Sequence, residues 1–171
     1  AWAPGASRAE EAPRPTPPPG VTILRVAEVT QYQEDMLRSI VAGRADGLKV
    51  GRWMMSISSE RLITNSKLPD QLERIIRDLL PASARREAEV YATDSLIKID
   101  KIGERKDGDN DKLEDKDLLR MADLYAAARE DLRKVFYMLP ADIQEQSKKI
   151  ARQMRQEEMA AVAEAAKSEG R

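Results

Sequence analysis

Apolar residues recur at helical spacing over the stretch from Leu118 to Leu139. They are separated by alternating intervals of three and four residues and comprise Leu118, Met121, Tyr125, Ala128, Leu132, Val135 and Leu139. This spacing places them on one side of a helix, and charged side chains occupy the other sides. A helix with one apolar stripe is stable when other helices cover that stripe, so we predict that this segment is the last core helix of a bundle.

Four earlier segments also have apolar faces at helical spacing. They cover about residues 21–43, 50–63, 68–80 and 82–103. Gly43 and Gly103 are suitable helix stops, and Pro69 and Pro81 bracket the third segment. The pattern predicts an all-α fold, in which residues 21–140 form an up-and-down bundle of four principal helices.

A polar turn of about residues 106–115 precedes the last core helix. Asp115 or Asp117 is predicted to cap that helix or to place a negative charge in its first turn. We interpret the turn as a solvated connection between two helices.

The same turn has part of the pattern of an EF-hand calcium loop. Asp107, Asp109 and Asp111 alternate as the first three ligands of such a loop do. Lys112 stands where the loop requires glycine, and Leu118 stands where it requires a bidentate glutamate. Calcium binding is therefore the less favoured alternative.

The N-terminal residues 1–20 contain six of the nine prolines of the chain. Proline lacks a backbone N–H and restricts φ, so we predict an extended arm. One interpretation is a disordered tail, and the other is a docking strap that loses little entropy on binding. In the second interpretation the partner-binding residues are Trp2, Pro13, Pro15, Pro17, Pro18 and Pro19.

Residues 141–171 have a helical composition that is rich in alanine and charge, with a narrow apolar stripe. We predict a C-terminal helical extension that projects from the bundle or packs on a neighbouring protein. A frayed helix in solvent is the alternative. Neighbouring helical positions carry four cations that are candidates for contacting phosphate or an acidic protein surface: Lys148, Lys149, Arg152 and Arg155. A solvated charged face is the alternative, and it is preferred to nucleic-acid binding.

Composition narrows the chemistry that the chain can perform. The 171 residues suit one domain with tails, and the net charge of -1, from 29 basic and 30 acidic side chains, does not indicate nucleic-acid binding. The chain has no cysteine and no histidine, which removes disulfides, thiolate nucleophiles, the usual zinc sites and the commonest general base. We expect no enzyme activity, cofactor, metal or small-molecule substrate. An enzyme built on carboxylates would require Asp and Glu to converge inside the bundle.

Residues from about Leu68 to Pro140 resemble the PsbQ-like proteins of the thylakoid lumen. Two stretches carry the resemblance, LERIIRDLLPASARREAEVYATDSLIKIDKIGERKDGD and LYAAAREDLRKVFYMLP. They contain an Arg-bearing helix, an Ala-rich helix that ends in a turn with the pair Lys106-Asp107, and a last helix that closes on Leu-Pro. The Pro-rich segment before the first helix is also similar.

This resemblance implies a four-helix bundle without catalytic residues, on the lumenal side of photosystem II. Such a subunit stabilises the complex or its oxygen-evolving centre, and it is peripheral to the thylakoid membrane of the chloroplast. Its partners are protein subunits of a large membrane complex. The alternative is an accessory helical linker subunit of another energy-transducing complex, such as photosystem I or a respiratory assembly.

Overall fold

The computed structural model describes residues 17–44, 52–104 and 113–170, with side chains from Ser59 onward in the second range. Every regular element in these ranges is helical, and none of them contains a strand. The helices are α1 (Pro19–Val41), α2 (Arg52–Ser66), α3 (Leu68–Arg74), α4 (Ala82–Gly103), α5 (Asp115–Tyr137) and α6 (Ala141–Glu169). The prediction of an all-α fold is confirmed.

Helix α1 begins two residues earlier than predicted. Pro19 is its first residue, because the fixed φ of proline suits a first helical turn and its missing N–H has no partner there in any case. Pro19 and Gly20 are both buried, so the prediction that the arm extends to residue 20 is wrong for these two positions. Pro17 and Pro18 are exposed and precede the helix, whereas Trp2, Pro13 and Pro15 lie outside the described residues.

The predicted third helix consists of two kinds of helical turn. Helix α3 continues without a break into a π-helical turn, Ile75–Leu79, and Pro81 follows. A single residue, Lys67, separates α2 from α3 and has the left-handed backbone conformation, with φ 52°. This residue makes the connection between the two helices a sharp corner.

A capping box fixes the start of α5. The side chain of Glu114 accepts a hydrogen bond from the backbone N–H of Asp117, and the Asp117 carboxylate accepts one from the backbone N–H of Glu114 at 3.1 Å. The predicted negative charge in the first turn is present as Asp115 and Asp117. The capping residue itself is Glu114, one position before the predicted candidates.

All seven apolar residues of the predicted α5 stripe are buried. At the start of α5, Leu118, Met121 and Tyr125 pack with Leu37 near the end of α1 and Ile102 at the end of α4. The second half of α5 packs with the first half of α1, with α3 and with the first half of α4. Helix α5 therefore runs antiparallel to both α1 and α4, while α2 packs on α4 and α6 packs on α1.

Alanine at Gly20 is expected to destabilise the protein by about 1 to 3 kcal/mol, because α6 packs closely against α1 at this residue. A Cβ atom there would lie 3.1 Å from Cβ of Ser147 and 3.4 Å from Cδ1 of Leu139, and nearer still to the Ser147 hydroxyl. Helix propensity alone predicts the opposite sign, a gain of about 1 kcal/mol. Denaturant unfolding distinguishes a clash from a gain in helix propensity. It compares Gly20→Ala with the double variant Gly20→Ala and Ser147→Gly, because removing the Ser147 side chain should relieve the clash. A Gly20→Ala protein that is more stable than the parent contradicts the close packing.

Candidate docking surface

Helix α6 has two halves with different surroundings. In the first half, Ser147 and Ala151 are buried against α1. From Arg155 to Gly170 every residue is exposed. The predicted projecting extension therefore begins at about Arg155 rather than at residue 141, since the first half of the helix belongs to the packed fold. We call residues 156–170 the distal segment of α6.

A groove of about 860 Å³ lies between α1, the α2–α3 corner and α6. This volume is in the range of about 300 to 1,000 Å³ that is usual for binding pockets. Apolar side chains from all three sides line it: Val21, Val26, Val29, Leu62 and Met154. Pro17 lines one end of the groove and Tyr32 also contributes, so the groove runs along α1 from its first turns toward its middle.

Four charged residues form an ion-pair network along the α6 side of the groove. Arg25 lies 2.8 Å from Glu28 and also pairs with Glu158, and Arg155 pairs with Glu28. These contacts tie the beginning of the distal segment to α1. Two cations and two carboxylates neutralise one another in this network, so it contributes no net charge to the groove.

Two further cations, Arg61 and Lys67, lie on the opposite side of the groove. Both are exposed, and neither has an ion-pair partner within the part of the chain that the structure describes. We call them the basic rim. Their charges make this side of the groove electropositive.

One polar side chain contributes to the groove from a buried position. Gln71 lines it and is buried, and no donor within the described ranges reaches its Oε1 atom. A buried acceptor without a partner costs free energy. An incoming group that carries an N–H or O–H donor would relieve that cost.

The four predicted cations of α6 do not form a single basic surface. Lys148, Arg152 and Arg155 line a second depression, of about 420 Å³, on the other side of α6. Lys148 also lies over the ring of Tyr137, 5.6 Å from its centroid, and Arg155 pairs with Glu28. Lys149 is exposed and does not line the depression. Two of the four cations, Lys148 and Arg155, therefore already make contacts within the fold.

Sequence reasoning did not identify the basic rim, Gln71 or the exposure of Val29 and Tyr32. Val29 has the helical spacing of a core residue relative to Val26, but it is exposed in the structure. The sequence signal that bears on the rim is indirect. Pro69, two residues after Lys67, marks the start of a helix, but it does not show that Lys67 adopts a left-handed conformation or what this corner faces.

Two buried carboxylates lie inside the bundle, each paired with cations. Glu34 of α1 accepts hydrogen bonds from Arg38 of the same helix at 3.0 Å and from Arg129 of α5 at 2.5 Å. Asp131 of α5 pairs with Lys98 of α4. These ion pairs connect neighbouring helices, so the two carboxylates stabilise the packing of α5 against α1 and α4.

Neither a cluster of metal ligands nor a membrane-spanning helix is found in residues 17–44, 52–104 and 113–170. No group of three or more acidic side chains there is placed to hold a metal ion. Asp107, Asp109 and Asp111 of the calcium alternative lie outside these ranges. No helix in the same ranges is long and apolar enough to cross a membrane.

The Glu34 pair should make stability depend on pH. Burial raises the pKa of Glu34, but the hydrogen bonds and positive charges of Arg129 and Arg38 lower it more, and the net pKa lies below its ordinary value. The stabilisation is therefore complete above the ordinary glutamate pKa of about 4.3 and is lost as the pH falls below it. The difference in unfolding free energy between the parent protein and Glu34→Gln should shrink between about pH 7 and about pH 3. If this difference in unfolding free energy stays constant over the same pH range, the ionised Glu34 carboxylate does not stabilise the fold through Arg129 and Arg38.

Protein-family models, the sequences of curated proteins and solved structures gave no match to this chain.

Proposed function

We propose that the protein is a non-enzymatic helical subunit of a larger protein assembly. The main support is the distal segment of α6, which is helical although no other helix of the described structure packs over it. It presents two large apolar side chains to solvent, Met159 at 67% and Val162 at 69% exposure. Isolated helices of this length are marginal in water, so packing against a partner accounts for a helix that the bundle itself does not cover.

The rest of the chain acts as a rigid support in this proposal. Helices α1, α2, α4 and α5 are the four principal helices of an up-and-down bundle, and α3 with its π-helical turn forms the corner between α2 and α4. The antiparallel packing of α5 against α1 and α4 supports this arrangement. Two interhelical ion pairs, Glu34–Arg129 and Lys98–Asp131, further fix the helices relative to one another.

We further propose that the assembly is photosystem II and that the protein docks on its lumenal side. The support is the resemblance of residues 68–140 to PsbQ-like proteins. In this role the Pro-rich arm and α6 contact neighbouring subunits, and two weak contacts held by one rigid body reinforce each other. The contacts stabilise the complex or shield its oxygen-evolving centre.

Rebinding to photosystem II membranes stripped of their extrinsic proteins tests this function. We expect the full chain to sediment with these membranes, and deletion of residues 1–16 or truncation after Arg155 to weaken binding, each by about tenfold or more, since each removes one of two linked contacts. The exposed substitution Leu119→Ala on α5 is the matched control and should bind as the full chain does.

The same assay includes the alternative assemblies. Binding to photosystem I or respiratory membranes with no binding to photosystem II would select the alternative of a linker subunit in another complex. No binding to any of these membranes would overturn the proposed function.

A further inference from the structure

We propose that the groove receives the distal segment of α6 from a second copy of this chain, and that two copies exchange these segments in a symmetric dimer. This inference rests on the proposed function only in treating the distal segment as an interface. Each copy would then supply one helix and accept one.

The distal segment carries an apolar stripe on one helical face. Met159, Val162 and Ala166 follow Arg155 by four, seven and eleven residues, so they share its helical face. Arg155 itself contacts α1 through Glu28. The stripe formed by these three residues therefore continues the face that α6 turns toward α1, beyond the point where the two helices remain in contact.

The facing part of α1 is also apolar and uncovered. Val29 and Tyr32 line the groove and are exposed. A helix with an apolar stripe, placed between the distal stripe and these two side chains, contacts both surfaces at once. The distal segment of a second copy is such a helix.

The basic rim and the distal segment carry opposite charges. The basic rim, Arg61 and Lys67, faces the groove without ion-pair partners among the described residues. The distal segment carries four glutamates and one lysine, a net charge of -3, and Glu158 is the one glutamate of the four that pairs with Arg25 of its own chain. A second copy therefore brings a helix of opposite charge to the rim, which favours this pairing and disfavours a basic partner.

The contact between the distal segment and the groove must join two chains. Helix α6 is continuous from Ala141 to Glu169, and its first half is held on α1 through Ser147 and Ala151. The first turn of the distal segment lines the groove of its own chain at Glu158, but without a break in the helix residues 159–170 cannot turn back into that groove. Since every copy has both the groove and the helix, a two-fold arrangement satisfies both and closes the assembly at two copies.

Sedimentation equilibrium of the full chain over a range of concentrations tests the dimer. We expect a reversible monomer–dimer equilibrium. Met159→Asp with Val162→Asp in the stripe, and Arg61→Glu with Lys67→Glu in the rim, should each raise the dimer Kd by about tenfold or more. Circular dichroism checks that each variant is folded.

The matched control uses another pair of exposed apolar residues. Val90→Asp with Ile97→Asp changes two exposed side chains of α4, seven residues apart, that do not line the groove. This variant should dimerise with the Kd of the parent chain. An equal loss of dimer in this variant would assign the interface to α4 and overturn the proposal.

A charge exchange tests whether the two contacts are reciprocal. Glu164→Lys with Glu169→Lys changes the net charge of the distal segment from -3 to +1, because two of its four glutamates become lysines beside the existing one. This variant and the rim variant should each be monomeric, and an equimolar mixture should form heterodimers, since both contacts in the mixed pair join opposite charges. A mixture that stays monomeric while both variants are folded contradicts the exchange.

Two other occupants of the groove give different results. A full chain that is monomeric, but dimerises after deletion of residues 1–16, would place its own N-terminal segment in the groove. If the chain is monomeric both with and without residues 1–16, the groove binds a different protein. Either result overturns the dimer, whereas the function fails separately, through the loss of membrane rebinding.

Discussion

Replacing Leu132 by alanine is expected to lower the free energy of unfolding by about 2 to 5 kcal/mol, the largest effect of any single substitution considered. Leu132 is fully buried in the larger core cluster, where α5 packs against α1, α3 and α4. The truncation removes apolar contacts and leaves a cavity that surrounding helices can fill only in part. Guanidinium unfolding followed by circular dichroism measures the change.

Leu119→Ala is the matched control, because the same atoms are removed from the same helix at a position that is 38% exposed. Its effect should stay within about 0.5 kcal/mol. Equal losses from the two substitutions would mean that the buried side of α5 is wrongly assigned, and with it the bundle that the account places around this helix.

Replacing Glu34 by alanine should cost about 2 to 4 kcal/mol, the second largest expected effect. The substitution leaves the guanidinium of Arg129, on α5, without its carboxylate partner in a partly buried site. Breaking a fully buried pair costs about 3 to 5 kcal/mol, and the exposed side-chain fractions of 12% for Glu34 and 24% for Arg129 place this pair somewhat lower. Urea unfolding at neutral pH measures it.

Asp123→Ala provides the comparison for Glu34. Asp123 accepts a hydrogen bond from Arg38, another member of the same network, at 2.9 Å, but its side chain is largely exposed. An exposed ion pair contributes about 0 to 1 kcal/mol. A loss from Asp123→Ala as large as that from Glu34→Ala would show that burial is not what gives the Glu34 pair its strength.

The sequence predicted most accurately those features that depend on near neighbours along the chain. The spacing from Leu118 to Leu139 identified seven residues that are all buried, and Pro81 and Gly103 marked the limits of α4 to within a residue. These signals are local, because helical periodicity and the backbone restrictions of proline and glycine act over a few residues. The starts of α1 and α5 were less accurate, since Pro19 and Glu114 are both suitable in more than one position of a helix terminus.

Features that join distant residues were not predictable from the pattern. The Glu34–Arg129 pair spans 95 residues, and the groove combines Val29, Leu62 and Met154 from three different helices. Periodicity states which face of each helix is apolar but not how far two helices cover one another. Val29 illustrates this limit, because it has the spacing of a core residue and yet lies where α6 leaves α1 uncovered.

Part of the exposure of the C-terminal helix was predicted, whereas the groove beside this helix was not. The polar composition after Pro140 indicated a helix with a purpose outside the core, and the distal segment has the expected exposure. The cations selected from that helix proved to be divided between a contact with Tyr137, a pair with Glu28 and open solvent. The cations that line the groove without an ion-pair partner among the described residues, Arg61 and Lys67, instead come from α2 and from the residue that follows it, and no sequence pattern associates them with α6.

Crosslinking mass spectrometry of the native assembly tests most directly the central claim that α6 is an interface. A lysine-reactive reagent samples Lys148, Lys149 and Lys167, and isotope-labelled protein distinguishes links within one copy from links between copies. Lys167, in the distal segment, is expected to link to a second copy or to another subunit, while Lys148 should link mainly within its own chain, where it lies against Tyr137. Crosslinks of Lys167 confined to its own chain would contradict the claim.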